Sequence, residues 1–270
     1  MEQLKIGFIG AGNMNGAIIG GLVNSAYPTK NIMVSNPSEG KLNNLKKQYS
    51  VLTTQDNTTV ASFAEVLILG VKPYNIEAIC KEIAPHISKP LIISVAAGKT
   101  IASIEALLGA QQAVIRVMPN TPSLISKGAA GLFANQNTKA HQKSFAAQLF
   151  QAVGITEWLD TEDKIDLVTA LSGSGPAYFF YLAEAMIASA VEQGMDKNQA
   201  TNLVTQTALG AAAMLDQDGA DAEALRIAVT SPNGTTEAAL NELNSNQVNQ
   251  SIKSAVLAAY NRGQQLAKDD

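Results

Sequence analysis

The stretch Leu4–Leu22 reads LKIGFIGAGNMNGAIIGGL. Leu4, Ile6, Phe8 and Ile9 make a short run of strong strand formers. Gly10-Ala11-Gly12 follows, and then Met14, Ala17, Ile18 and Leu22 recur at helical spacing. A strand, a tight glycine turn and a helix start are the parts that begin a dinucleotide-binding βαβ unit. The first glycine makes the turn. The second lets a pyrophosphate approach the backbone at the helix N-terminus, where free N–H groups and the helix dipole favour negative charge. The GxGxxG/A pattern asks for a small residue at position 15, for close helix–strand packing. This chain has Asn15, with Gly16 next. A strand–turn–helix of this kind also occurs without any ligand, so the remaining chain has to decide.

Working outward, the strand and helix signals alternate. Tyr27-Pro28 breaks the chain after the first helix, and Ile32-Met33-Val34 reads as a second strand ending in Ser35-Asn36-Pro37-Ser38. An acidic residue near this point takes the ribose 2′-hydroxyl in NAD binders, and NADP binders avoid that charge. Asn36 and Ser38 are neutral hydrogen-bonding residues, Lys41 adds a cation, and Glu39 suits the start of a helix with Leu42, Leu45 and Tyr49 inward. NADP(H) is therefore favoured over NAD(H). Val51-Leu52 makes a short third strand, and Asp56-Asn57 opens a brief helix at a normal capping position.

Val66–Val71 is nearly continuous apolar sequence, as in a parallel strand covered on both faces. It leads from Gly70 into Val71-Lys72-Pro73, at the carboxyl edge where such sheets bind ligands. Leu91–Val95 is the next buried strand, and the small Ala96-Ala97-Gly98 after it leaves room for a flat ring against backbone. Thr100 caps a helix with Ile101, Ile104, Leu107 and Leu108, which Gly109 stops. Val114–Met118 is a strand, Pro119-Asn120-Thr121-Pro122 a stiff polar loop expected to face the cleft. Gly128–Ala134 and Ile155–Leu159 are final strands around the helix Lys139–Val153. This alternation means a doubly wound sheet.

From Thr161 onward no strand is convincing, so the domain boundary is placed there: a Rossmann-like 1–160 and an all-α 161–270. Thr161 is expected to cap a helix running to about Leu171, which Ser172-Gly173-Ser174-Gly175-Pro176 interrupts. Pro176 suits the start of the next helix, Ala177 to Gln193, and Gly194 its stop. Asp196 with Gln199 resembles a capping box for a helix reaching Leu215. Between Asn198 and Leu215 there is no charged residue. A helix without a polar face is buried all round, and one subunit of this size offers little to bury it, so a homodimer is expected. Asp221 starts a short helix. Then comes Thr230-Ser231-Pro232-Asn233-Gly234-Thr235-Thr236, a turn in which Thr235 or Thr236 is expected to cap the following helix. That N-terminus is a second possible anion site. The last helix, about Val248–Ala267, has Ile252, Val256, Ala259 and Tyr260 inward.

Composition excludes several classes. Of 270 residues, 46% are apolar and 16% charged, with net charge −4 and no basic tract, so a nucleic-acid surface is not expected. Ala177–Val191 is too short to cross a bilayer and carries Glu184, and no signal peptide is expected, since the first strand signal starts at Leu4. A lone Cys80, read as a core residue, rules out an intrachain disulfide framework and fits a reducing, cytoplasmic setting. His86 and His141 have no companion at metal spacing, so no metal site is expected.

Several stretches together resemble the pyrroline-5-carboxylate reductase family: IGFIGAGNM (6–14), the Asn57 helix, VKP (71–73), SVAAG (94–98), RVMPNTP (116–122), ALSGSGPAY (170–178) and TSPNGTT (230–236). They fall in the family's order over nearly the whole chain. The family usually has Gly or Ala where this chain has Asn15, and Gly where it has Asn233. Asn accepts the left-handed conformation better than most residues.

The resemblance implies reduction of the C=N bond of 1-pyrroline-5-carboxylate to L-proline, with NADPH as cofactor and NADH less favoured. By resemblance, Ile9, Gly10, Ala11, Gly12, Asn13 and Met14 hold the pyrophosphate. Ser35, Asn36 and Ser38 surround the 2′-phosphate, and Asn57 touches the adenosine end. Gly70, Val71, Lys72 and Pro73 line the ribose, and Val95, Ala96 and Ala97 the nicotinamide. The substrate carboxylate sits at the turn Ser231, Asn233, Gly234, Thr235 and Thr236, and Thr236 hydrogen-bonds the ring nitrogen as the catalytic residue. Glu162 matches an acidic residue near that site in some members. The family pairs through its C-terminal helices, and some members assemble as pentamers of dimers.

An iminium carbon is already electrophilic, so positioning rather than a nucleophile or metal carries the reaction. A β-hydroxyacid dehydrogenase shares this architecture but needs a lysine after the second glycine-rich segment, and Ile165–Gln193 contains none. A reductase of another cyclic imine and a non-catalytic NADP-sensing protein are the alternatives left.

Overall fold

The computed structural model describes residues 2–268. Its centre is β1, Ile6–Ile9, buried along its whole length. β2 (Ile32–Ser35) and β3 (Leu52–Thr54) follow on one side of it, joined through α1 (Asn13–Asn24) and α2 (Glu39–Tyr49). After α3 (Asn57–Phe63) the chain returns to β4 (Val66–Leu69) on the other side of β1. α4 (Ile76–Ile83) leads to β5 (Leu91–Ser94), and α5 (Ile101–Leu108) to β6 (Val114–Met118). β7 (Gly128–Ala134), α6 (Ala140–Gln151) and β8 (Gly154–Trp158) complete an eight-stranded sheet ordered β3-β2-β1-β4-β5-β6-β7-β8. The order reverses between β1 and β4, and ligands of such sheets bind outside the carboxyl ends at that point.

Side-chain alternation along each strand lays down a separate core on each face. Ile6, Phe8, Ile68, Ile93 and Ile115 point to one face, where Ile18, Ile19 and Leu22 of α1, Leu42 of α2 and Phe150 of α6 meet them. Ile9, Leu67, Leu69 and Ile92 point to the other, against Val60 of α3, Cys80 of α4 and Ile104 of α5. Burial pushes the Cys80 thiol up to about 11, so it packs as an inert hydrophobe. The strands β1 to β6 run parallel, but β7 is antiparallel to β6. The connection between them is the short turn Thr121–Ile125 and its flanks, too short for a parallel crossover, which takes about a dozen residues.

The caps foreseen at Asp56, Thr100, Asp196 and Asp221 are made: each side chain accepts a first-turn N–H. Three local expectations are corrected. Thr161 caps nothing, because α7 starts only at Lys164, with Asp163 before it, and ends at Val168. The interruption expected over Ser172–Pro176 narrows to a single bend at Ser174. Thr169–Gly173 winds as a π-helical turn, with Ser174 N–H donating to the Thr169 carbonyl at 2.8 Å, and α8 (Gly175–Glu192) starts after that one residue. A π turn adds a residue to the helical path without ending it. In the final helix α12 (Val248–Lys268), Val256, Ala259 and Tyr260 are half-buried but Ile252 is 57% exposed.

Packing divides the chain into one unit running to Ser174 and joined by residues from Ala258 onward, and a second unit, Gly175–Leu257. Strand signals end near position 160, whereas α7 stays with the first unit because it packs on β6 and β7. The second unit holds α8, α9 (Lys197–Leu215), α10 (Ala222–Ala228), α11 (Thr235–Ser245) and the start of α12. Within it only Gly175 and Ala200 are buried, while Phe179, Phe180 and Tyr181 of α8 and Leu203 and Leu209 of α9 are each more than half exposed. An exposed apolar expanse of this kind marks an interaction surface.

Candidate active site

Strand register brings the first set of expected residues to one edge. Ile9 pairs with Ser35 of β2 and with Leu69 of β4, and Leu69 pairs with Ser94 of β5. The residues that follow these four ends, Gly10, Asn36, Gly70 and Val95, therefore share the carboxyl edge. Gly10 turns there with φ +97°, and a Cβ on it would come within 2.6 Å of the Gly70 carbonyl oxygen. Only glycine meets both conditions.

Gly12 precedes α1 and gives it no side-chain cap; there is no acid in the first turn, and the space where its Cβ would stand is open. The N–H groups of Asn13 and Met14 belong to this uncapped first turn. A pyrophosphate fits this arrangement, since it satisfies helix donors that the chain leaves unpaired. A cavity of about 410 Å³ begins at Ala11, Gly12 and Asn13 and is bordered by Lys41 of α2. It runs along α1, between α2 and the turn holding Ser123, Leu124 and Ser126, and Ala96 does not line it. It thus supplies room beside the glycine turn rather than outlining a dinucleotide.

Asn36 lies against that turn. Its Oδ1 accepts the Ala11 N–H at 3.1 Å and its Nδ2 donates to the Ser38 carbonyl at 3.2 Å. Ser35 is buried and donates its hydroxyl to Asn57 Oδ1 at 2.7 Å, and Asn57 Nδ2 donates to Glu82 at 2.9 Å. Ser35–Ser38 carries no charge of its own and is braced through Asn57 to the Glu82 carboxylate, with Ser38 exposed before α2. Lys72 is exposed and Val71 and Pro73 half-buried at the start of a short 3-10 turn. After β5, Ala96 is buried while Val95 and Ala97 are half-buried, so the surface there is small and apolar.

Asn15, the departure from the glycine pattern, is 1% exposed. Its Nδ2 donates to the Gly10 carbonyl at 2.7 Å and the Ile9 carbonyl at 3.3 Å, while its buried Oδ1 has no partner. It occupies the space next to Gly70, where a Cβ would lie 2.2 Å from its amide. The larger residue on α1 is accommodated by the missing side chain on the strand.

The second set sits in the helical unit. Asn233 has φ +58°, the left-handed conformation, and its N–H donates to Glu237 at 2.7 Å. Gly234, rather than Thr235 or Thr236, occupies the N-cap, because its extended φ and ψ end the turn one residue earlier. The threonines are the first two helical residues, and Thr236 is half-buried. No side chain caps α11, so this N-terminus also keeps free donors.

Glu162 belongs to the first unit. Its Oε1 accepts the Ile101 N–H at 2.8 Å and a hydrogen bond from Arg116 Nη1 at 3.2 Å. Arg116 joins the site only through the tertiary structure. The signal was present: a charged residue inside the apolar strand VIRVM has to find partners, and it finds Glu162 and Asp166. Asn120, expected in a cleft-facing loop, turns inward instead. It accepts the Ala129 N–H at 2.8 Å and donates to the Ser172 carbonyl at 3.0 Å, because burial obliges its amide to pair.

Among the described residues, no group of three or more His, Cys, Asp or Glu is placed to hold a metal ion. No helix among them is long and apolar enough to cross a membrane.

Comparison with known proteins finds two family profiles. One, described as pyrroline-5-carboxylate reductase dimerisation, matches residues 162–266, and another, described as NADP oxidoreductase, coenzyme F420-dependent, matches residues 5–98. The pyrroline-5-carboxylate reductase of Pseudomonas aeruginosa is 43% identical over 269 residues, covering 99% of this chain and 98% of its own. That of Methanosarcina acetivorans is 36% identical, covering 99% of this chain and 100% of its own. The solved structure of a pyrroline-5-carboxylate reductase from Coxiella burnetii superposes with TM-score 0.93 at 42% identity, over 98% of this chain and 99% of the other. The Plasmodium falciparum pyrroline carboxylate reductase, solved with NADP bound, does so with TM-score 0.89 at 29% identity, over 99% of each chain.

Proposed function

The chain belongs to the pyrroline-5-carboxylate reductase family, and from that premise we infer how its residues divide the work. It reduces 1-pyrroline-5-carboxylate to L-proline in the last step of proline biosynthesis. NADPH, when bound, would supply the hydride that adds to the carbon of the protonated C=N bond, and the proton already on the iminium nitrogen stays there in the product amine.

The observation that carries the residue assignments is the shared carboxyl edge of β1, β2, β4 and β5, with an uncapped helix start beside it. In this reading Ile9 to Met14 hold the pyrophosphate through backbone donors. Asn36 fixes the glycine turn through Ala11, while it and Ser38 offer uncharged polar groups and Lys41 a cation toward the 2′-phosphate. The absence of an acid at Ser35–Ser38 is the specific argument for NADPH. Asn57 braces the adenosine side, Gly70 to Pro73 line the ribose, and Val95 to Ala97 present little bulk to a flat ring.

At the other site, the first amides of α11 hold the substrate carboxylate, in the turn Ser231, Asn233, Gly234 and Thr235. The Thr236 hydroxyl hydrogen-bonds the ring nitrogen. An iminium carbon needs no activated nucleophile, so holding the ring in a reactive pose is the main task, and positioning of this kind supplies several kcal/mol.

The chain carries the family's dimerisation domain. We extend this to a homodimer through the α8 and α9 faces and, beyond it, to a pentamer of dimers. The buried, unreactive Cys80 is in keeping with the cytoplasm. The deciding experiment is a spectrophotometric assay of the purified protein with 1-pyrroline-5-carboxylate and either NADPH or NADH. Rapid oxidation of NADPH is the expected result. Faster oxidation of NADH would overturn the argument from Ser35–Ser38, and no oxidation of either by a folded dimer would overturn the assigned reaction.

A further inference from the structure

Arg116 is a charge built into the middle of a buried strand. It is 2% exposed, between Ile115 at 0% and Val117 at 1%. Its Nη1 reaches Glu162 at 3.2 Å and its Nη2 reaches Asp166 at 2.9 Å, while its buried Nε has no partner. Removing a guanidinium from water costs several kcal/mol before its partners compensate, and an apolar residue of similar volume often serves stability equally well.

The Glu162 Oε1 atom that receives Arg116 also accepts the N–H of Ile101, the first residue of α5, at 2.8 Å. A carboxylate there is doubly suited, as acceptor for an orphan donor and as a negative charge at a helix N-terminus. The segment immediately before Ile101 is Val95–Thr100, the loop assigned to the nicotinamide. Its near end is also tied to Arg116, because Arg116 pairs in register with Ser94, and the Ser94 hydroxyl accepts the Ala96 N–H at 3.4 Å. Its middle is packed as well. Gly98 has φ +78°, and a Cβ there would stand 3.0 Å from Leu266 Cβ.

We propose that Arg116, Glu162 and Asp166 form a positioning device for the nicotinamide loop. Asp166 and Glu162 hold the Arg116 guanidinium, and Arg116 orients Glu162. Glu162 in turn holds the first amide of α5 and so sets where Val95–Thr100 lies. Glu162 is then a positioning residue on the cofactor side of the reaction, not a ligand of the substrate. The proposal rests on the reading that this loop receives the nicotinamide.

The test compares Glu162→Ala, Glu162→Gln and Arg116→Lys with the parent. NADPH binding is measured by fluorescence titration without substrate. Adenosine 2′,5′-bisphosphate, which carries the phosphorylated adenosine end and lacks nicotinamide, is measured by calorimetry. In Glu162→Ala, NADPH affinity and kcat are each expected to fall about tenfold. Bisphosphate affinity and the KM for 1-pyrroline-5-carboxylate should stay within about twofold. Glu162→Gln keeps an oxygen for the Ile101 N–H and should recover most of the NADPH affinity. Arg116→Lys retains the charge but cannot span both carboxylates, and should behave like Glu162→Ala; it serves if the alanine variant fails to fold.

Unchanged NADPH affinity with a raised substrate KM would overturn the proposal and return Glu162 to the substrate site. Equal loss of NADPH and bisphosphate binding would reduce the cluster to a general structural role. A parent that binds NADPH but does not reduce 1-pyrroline-5-carboxylate would overturn the assigned reaction alone, since the binding comparison uses no substrate.

Discussion

Asn15 and Gly70 compete for one space. A Cβ on Gly70 would lie 2.2 Å from the Asn15 amide, too close for any real contact. Gly70→Ala is therefore expected to destabilise the fold by about 1–3 kcal/mol, the usual cost of overpacking. Asn15→Ala removes hydrogen bonds to the Ile9 and Gly10 carbonyls and should cost about 1 kcal/mol. The double variant should be more stable than the sum of the two, with a coupling of about 1 kcal/mol or more in denaturant titrations. Additive effects would mean that the two residues do not share the space. Thr236 carries the other prediction at this scale. Thr236→Ala should lower kcat at least tenfold, about 1.4 kcal/mol of barrier, and leave NADPH binding unchanged. A variant with full turnover would remove Thr236 from the mechanism.

Among the elements, α3 shows how local charge enters stability. Asp56 accepts from the Thr58 N–H and from the hydroxyls of Thr59 and Thr58. The Thr59 bond, then those of Thr58, hold its carboxyl at about 2. An unfolded aspartate titrates near 3.9. The folded value is the lower one, so the contribution is present above about pH 4 and is lost as pH falls toward 2. Asp56→Ala should accordingly lower the thermal midpoint at neutral pH, and the gap to the parent should close across that acid window in a calorimetric pH series. A gap independent of pH would show that capping by Asp56 does not depend on its charge.

Caps were legible from sequence wherever an Asp or Thr stood just before an apolar-periodic run, as at Asp56 and Thr100. The same residue types do not cap at Thr161 or at Thr235–Thr236. There a good capping residue was present, but the helix start was decided by neighbouring backbone: the extended Gly234 in one case, and the later start at Lys164 in the other.

For the whole molecule, the exposed apolar faces of α8 and α9 set the expectation. Leu209 is 61% exposed and Phe180 69% in the single chain, on a unit with almost no buried residues of its own. Leu209→Asp should shift the protein to monomer in sedimentation velocity, lower its thermal midpoint and abolish most of its activity. If the variant keeps the parent's mass and activity, the α9 face is not the dimer interface. The parent's own mass distinguishes a dimer from the pentamer of dimers.

By itself the sequence determined the local and periodic features of this protein. Strand and helix periods, the glycine turn, the uncharged α9 and the neutral end of β2 are properties of neighbouring residues, and each carries its physical consequence wherever the chain goes. The tertiary structure decided what depends on residues far apart in the chain meeting in space. β7 turns antiparallel because its connection is short, Asn15 is tolerated because Gly70 lies opposite, and Arg116 is neutralised by carboxylates 46 and 50 positions away. No window along the chain contains both halves of such a pair, and their energy exists only once the sheet has brought them together.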